Sequence, residues 1–91
     1  MHILAHIPPG NLDCWHIFSR EFNKIINRFE STVAAQFYGH THKEEYKIFY
    51  DDLGRPVNVG FVAGSLTTYS DINPGYRIYT VDARRDSFVN I

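Results

Sequence analysis

Cysteine, methionine and tryptophan each occur once in this chain, proline four times, and neither sign of charge is in excess. Each shortage excludes something. A single cysteine, Cys14, cannot close a disulfide within the chain, so no stapled framework holds the fold. Nine Lys and Arg against ten Asp and Glu give a net charge of −1. With no basic stripe to neutralise phosphates, nucleic acid is not expected as a structural partner. No apolar run approaches the ~20 residues of a membrane span, so no transmembrane segment is expected. The opening "MHILAHIPPG" has no basic start and is broken by Pro8 and Pro9, unlike a signal peptide.

What is present is apolar and aromatic. Hydrophobic residues make up 44% of the 91 and aromatics 15%, the composition of a globular chain of at most one small domain, residues 1–91. "HILAH" (2–6) reads as a short buried strand, and "IPPGNLD" as a loop in which Asp13 could cap a helix. From Cys14 to about Thr32, Trp15, Phe18, Phe22, Ile25, Ile26 and Phe29 recur at three- and four-residue spacing, which predicts an amphipathic helix. At that spacing Trp15, Phe18, Phe22 and Phe29 are expected in the core, not on a lipid-facing surface. "VAAQFYG" (33–39), "EEYKIFYD" (44–51), "VNVGFVAG" (57–64) and "YRIYTVDA" (76–83) read as strands. The polar connection "SLTTYSDINPG" is long for a hairpin, and such loops often carry function. The order β-α-β-β-β-β predicts an α/β fold. One helix covers only part of such a sheet, so an open edge or face is expected.

The candidate chemistry lies in histidine. His2 stands at the chain end and His16 within the helix, and neither is a candidate. His6 closes a strand before a Pro-Pro-Gly turn, and His40 and His42 follow another strand through Gly39. In parallel sheets such strand ends converge on one crevice. Neutral imidazole is a common ligand for zinc and other transition metals. An H-x-H pair by itself fits metal ligands or hydrogen-bonded surface histidines.

The segments "HILAHIPPG", "FESTVAAQFYGHTHKEEYKIFYD" and "GSLTTYSDINPGYRIYTVD", in that order, resemble the acid sphingomyelinase and acid-sphingomyelinase-like phosphodiesterase family of the calcineurin-like metallophosphoesterases. The resemblance runs from about His2 to Asp82. It implies that residues 1–91 are the C-terminal portion of a metallophosphoesterase α/β sandwich, incomplete as a stand-alone domain. It also implies two Zn2+ ions per complete catalytic domain, with His6 and His40 as ligands of one and His42 as a ligand of the other. Tyr69 and Asn73, in "TTY" and "NPGYR", match a stretch on the substrate side. The implied reaction is hydrolysis of sphingomyelin to ceramide and phosphocholine by a metal-activated water; other relatives cleave nucleotides or further phosphodiesters. One departure is Ala5, where the family usually has glycine, a costly exchange only if the position needs φ > 0.

The family's aspartate-x-histidine, bridging aspartate and asparagine-histidine pair match nothing here. The chain's own acids, Asp13, Asp51, Asp52, Asp71, Asp82 and Asp86, fit no ligand motif of the family. The resemblance therefore implies that the remaining N-terminal half of the catalytic domain is a partner, and that the isolated chain is inactive. It also implies an extracellular or lysosomal setting and a disulfide between Cys14 and an upstream cysteine. The alternative is a catalytically inactive short chain acting as a binding or regulatory module.

Overall fold

The structure is a computed structural model, and it describes residues 1–82 together with the backbone of 89–90. Its elements are β1 (His2–Leu4), α1 (His16–Arg28), β2 (Ala35–Tyr38), β3 (Glu45–Tyr50), β4 (Pro56–Val62), β5 (Thr80–Val81) and β6 (Val89–Asn90). The main sheet has the order β1-β2-β4-β3, with β1, β2 and β4 parallel and β3 antiparallel to β4. A parallel neighbour requires a crossover, and α1 supplies it between β1 and β2. The result is the expected small mixed α/β fold: one helix on a four-stranded sheet whose edges are β1 and β3.

Alternation along the strands divides the sheet into two faces. The helix side carries Ile26, Val33 and Phe49 as its buried cluster, with Ile3, Phe22 and Val57 packed against it. Asn23 and Asn27 donate their side-chain amides to the carbonyl of Tyr50, fastening the helix to the end of β3. Close packing on this side also explains Gly60. A Cβ there would stand 3.1 Å from Tyr38 Cε2 and 3.3 Å from Phe49 Cε2. On the opposite face Phe37 and Phe61 meet the ring of Tyr79 at 4.8 and 5.6 Å. Leu4, Tyr46 and Tyr50 remain exposed there, so the expected open face is present.

Three expectations need correction. The helix is shorter than Cys14–Thr32, because Trp15 is its N-cap and Phe29 its C-cap. Of the four aromatic residues expected in the core, only Phe22 packs against it. Trp15 is 72% and Phe18 62% exposed, and Phe29 is also exposed. The physical cause is that a single helix touches the sheet along one narrow stripe through Phe22 and Ile26. Trp15 and Phe18 continue that stripe towards the start of the helix, where the sheet does not reach, and stack on each other instead. Finally, "YRIYTVDA" (76–83) is not one long strand: Thr80–Val81 alone pair, with Val89–Asn90, and Ala83 lies outside the described residues, as does Asp86. The alternation is nonetheless real. Arg77 and Tyr79 are half-buried while Tyr76 and Ile78 are exposed, and Arg77 pairs with Glu44 and lies over the Tyr79 ring. An extended chain laid across a sheet face alternates without needing a ladder.

Candidate metal centre

Parallel strands bring their carboxyl ends to one side of a sheet, and the candidate histidines follow those ends. Beyond β1, the Ala5 N–H donates to the carbonyl of Phe37 at 3.0 Å, and the Gly39 N–H donates to the carbonyl of His6 at 2.9 Å. These two bonds carry the β1–β2 pairing past the strands, so His6 and Gly39 are held side by side. Ala5 is absent from the residues with positive φ. Its methyl therefore costs no backbone strain.

The turn after Gly39 is unusual. His40 has φ 76° and His42 φ 64°, the left-handed region that few non-glycine side chains enter, although histidine is among those enriched there. The Thr41 N–H donates to the Gly39 carbonyl at 2.9 Å, which tightens the turn between them. Backbone held in this region persists only where surrounding structure fixes it, and such residues cluster at ligand-binding sites.

That turn lays the His40 ring edge-on against His6, with centroids 5.0 Å apart at 81°. His40 Nδ1 and His6 Nε2 are 3.2 Å apart. This separation serves one N–H···N hydrogen bond. It also suits two nitrogens facing one zinc ion: at Zn–N distances of ~2.0–2.1 Å they would subtend about 100°, close to tetrahedral. His42 points elsewhere, its ring 6.4 Å from that of Tyr69 at 79°. The three histidines thus divide into a pair and a single, with Tyr69 beside the single. Asn73 is exposed on the unpaired segment before β5. Among the described residues, no group of three or more His, Cys, Asp or Glu side chains forms a cage for a metal ion. The pair fits two positions of a zinc shell but does not complete one.

Asp13 is the residue that sequence reasoning missed. It was expected to cap the helix, yet the cap is Trp15, with no side-chain hydrogen bond. The Asp13 carboxylate instead accepts from His40 Nε2 at 2.6 Å. Its loop is anchored to the helix: the Gly10 N–H donates to Ser19 Oγ at 2.8 Å, and that hydroxyl donates to Cys14 Sγ at 3.2 Å. The only sequence signal was an acid next to a Pro-Pro-Gly turn, which reads equally well as a cap.

Cys14 is a half-buried free thiol. Beside it, Tyr38 donates its hydroxyl to Gln36 Oε1 at 2.5 Å. Burial, with a smaller contribution from Cys14, pushes the Tyr38 phenol up to about 12. No helix among the described residues is long and apolar enough to cross a membrane.

No protein-family model matches the chain. Curated relatives do. The sphingomyelin phosphodiesterase of Homo sapiens is 50% identical over 84 residues, 90% of this chain and 13% of the relative. Sphingomyelin phosphodiesterase 1 of Caenorhabditis elegans is 42% identical over 86 residues, 90% of this chain and 15% of the relative. Sphingomyelin phosphodiesterase B of Dictyostelium discoideum is 41% identical over 91 residues, 91% of this chain and 14% of the relative. The chain therefore spans about one-seventh of the length of each of these three relatives.

Proposed function

Since this chain is a sequence homologue of the sphingomyelin phosphodiesterases over nine-tenths of its length, we propose that residues 1–91 form the C-terminal portion of a two-zinc phosphodiesterase domain that hydrolyses sphingomyelin to ceramide and phosphocholine. His6 and His40 hold one zinc ion and His42 belongs to the shell of the other. The observation that carries the reading is the 3.2 Å approach of His6 Nε2 to His40 Nδ1 at the carboxyl ends of two parallel strands. Zinc in such a site neutralises phosphate charge and lowers the pKa of a bound water. The chain's own part is to hold neutral imidazoles in position. Tyr69 and Asn73 border the substrate side, the further ligands come from the N-terminal half of the same domain, and Cys14 pairs with a cysteine outside this chain. The compartment that suits that disulfide is extracellular or lysosomal.

The test uses the protein isolated from its natural source and presented with sphingomyelin vesicles or a nucleotide phosphodiester. Phosphocholine release that a chelator abolishes and zinc restores supports the reading. Release that is insensitive to chelation, or cleavage of the nucleotide alone, contradicts it. A second reading, an inactive binding or regulatory module, is favoured by the absence of a three-donor cage among the described residues. A natural product of 10.6 kDa that takes up zinc and releases no phosphocholine would establish it.

A further inference from the structure

We propose that Asp13 is a positioning residue for the metal pair: its carboxylate fixes which nitrogen of His40 faces the ion shared with His6. The inference rests on the zinc reading of that pair. A carboxylate only accepts hydrogen bonds, so the hydrogen in the 2.6 Å contact is carried by His40 Nε2. In the neutral ring Nδ1 is then bare, and Nδ1 is the atom that stands 3.2 Å from His6 Nε2. The other tautomer would turn an N–H toward the ion and leave nothing to ligate it. A carboxylate on the outer nitrogen of a ligating histidine fixes its tautomer and ring orientation and raises its basicity.

The loop around Asp13 is built to hold that carboxylate still. The Asp13 N–H donates to Asn11 Oδ1 at 2.9 Å, and the Cys14 N–H donates to the Asn11 carbonyl at 2.9 Å. With Gly10 tied to Ser19, the loop is fastened to the first turns of α1. Asp13 itself is 66% exposed, so a substitution there buries no unpaired polar group and leaves the core untouched.

The experiment is a chelator-competition zinc titration of the natural protein, with the N-terminal half that supplies the further ligands, and of two variants, Asp13→Ala and Asp13→Asn. Histidine 15N spectra report the tautomer and the nitrogen that the zinc perturbs. Loss of an outer-shell partner lowers metal affinity about 10–100-fold. That loss is expected in Asp13→Ala, with a partial recovery in Asp13→Asn, which keeps an acceptor oxygen. In the unvaried protein His40 should be Nε2–H, zinc should shift its Nδ1, and the His42 signals should not follow Asp13. Equal zinc affinity in the unvaried protein and Asp13→Ala, or zinc on His40 Nε2, overturns the role of Asp13 while leaving the zinc reading intact. An unvaried natural protein that takes up no zinc overturns both.

Discussion

Replacing Tyr38 by phenylalanine removes one oxygen from the polar network around Gln36, the buried polar residue among those described. The Tyr38 hydroxyl donates to Gln36 Oε1 at 2.5 Å, Gln36 Nε2 donates to Asn58 Oδ1 at 2.9 Å, and Asn58 Nδ2 donates to the Val33 carbonyl at 2.7 Å. Gln36 is 0% exposed, so water cannot replace the missing donor. Leaving a buried acceptor unsatisfied costs about 1–3 kcal/mol, and for a domain of this size each kcal/mol lowers Tm by roughly 4–8 °C. The same hydroxyl predicts a pH signature. Burial, followed by Cys14, pushes the Tyr38 phenol up to about 12, against an unfolded value near ~10. The unfolded chain releases its proton first, so the stability contributed by the neutral phenol is complete below pH ~10. It is lost as pH rises towards 12 and amounts to on the order of 2 to 3 kcal/mol. Urea unfolding followed by circular dichroism between pH 7 and 11.5 reads both effects. Tyr38→Phe should be the weaker protein at pH 7, and the gap should narrow above pH 10, because only the parent has this group to titrate. Equal stability at pH 7, or a gap that does not change with pH, would refute the reasoning.

Gly60→Ala should destabilise by about 1 kcal/mol: overpacking costs roughly 1–3 kcal/mol, against ~0.4–1 kcal/mol gained by restricting the unfolded chain. The new methyl meets two rings that cannot easily retreat, Tyr38 through its bond to Gln36 and Phe49 within the core; an unchanged or raised urea midpoint would show that they can. The Asp51 carboxylate accepts the backbone N–H groups of Arg55 and Leu53 and the Arg55 Nε–H. The Arg55 backbone bond is the largest cause of its lowered pKa. The stability it contributes is thus present above pH ~4 and lost as pH falls below that. Asp51→Asn should cost stability at pH 6 and little at pH 3, and a cost equal at both would contradict the assignment.

The sequence made some of this legible. The change from a three-to-four-residue period to alternation after Thr32 located α1 and the strands that follow it, because both periods reflect a single buried face. It did not show how much of each face would find a partner. The spacing of Trp15, Phe18, Phe22 and Phe29 is that of a core stripe, but burial depends on what lies opposite, and the sheet reaches only Phe22. Likewise the alternation at 76–79 reports an extended chain with two unlike sides, and says nothing about a ladder. At the site, His6, His40 and His42 stood out by type and spacing. Their division into a pair and a single depends on the left-handed turns at His40 and His42, which a residue other than glycine does not announce. Asp13 was hidden for a related reason: its partner is 27 residues away, and only the parallel pairing of β1 and β2 brings the two loops together.

The pairing of His6 with His40, apart from His42, is tested most directly by zinc titration of the natural protein, N-terminal half included, against a competing chelator, with His6→Ala, His40→Ala and His42→Ala run beside it. His6→Ala and His40→Ala should each remove the same tight binding step, and His42→Ala should leave that step in place. Equal losses in all three variants, or a step that survives His40→Ala, would contradict a metal shared by His6 and His40.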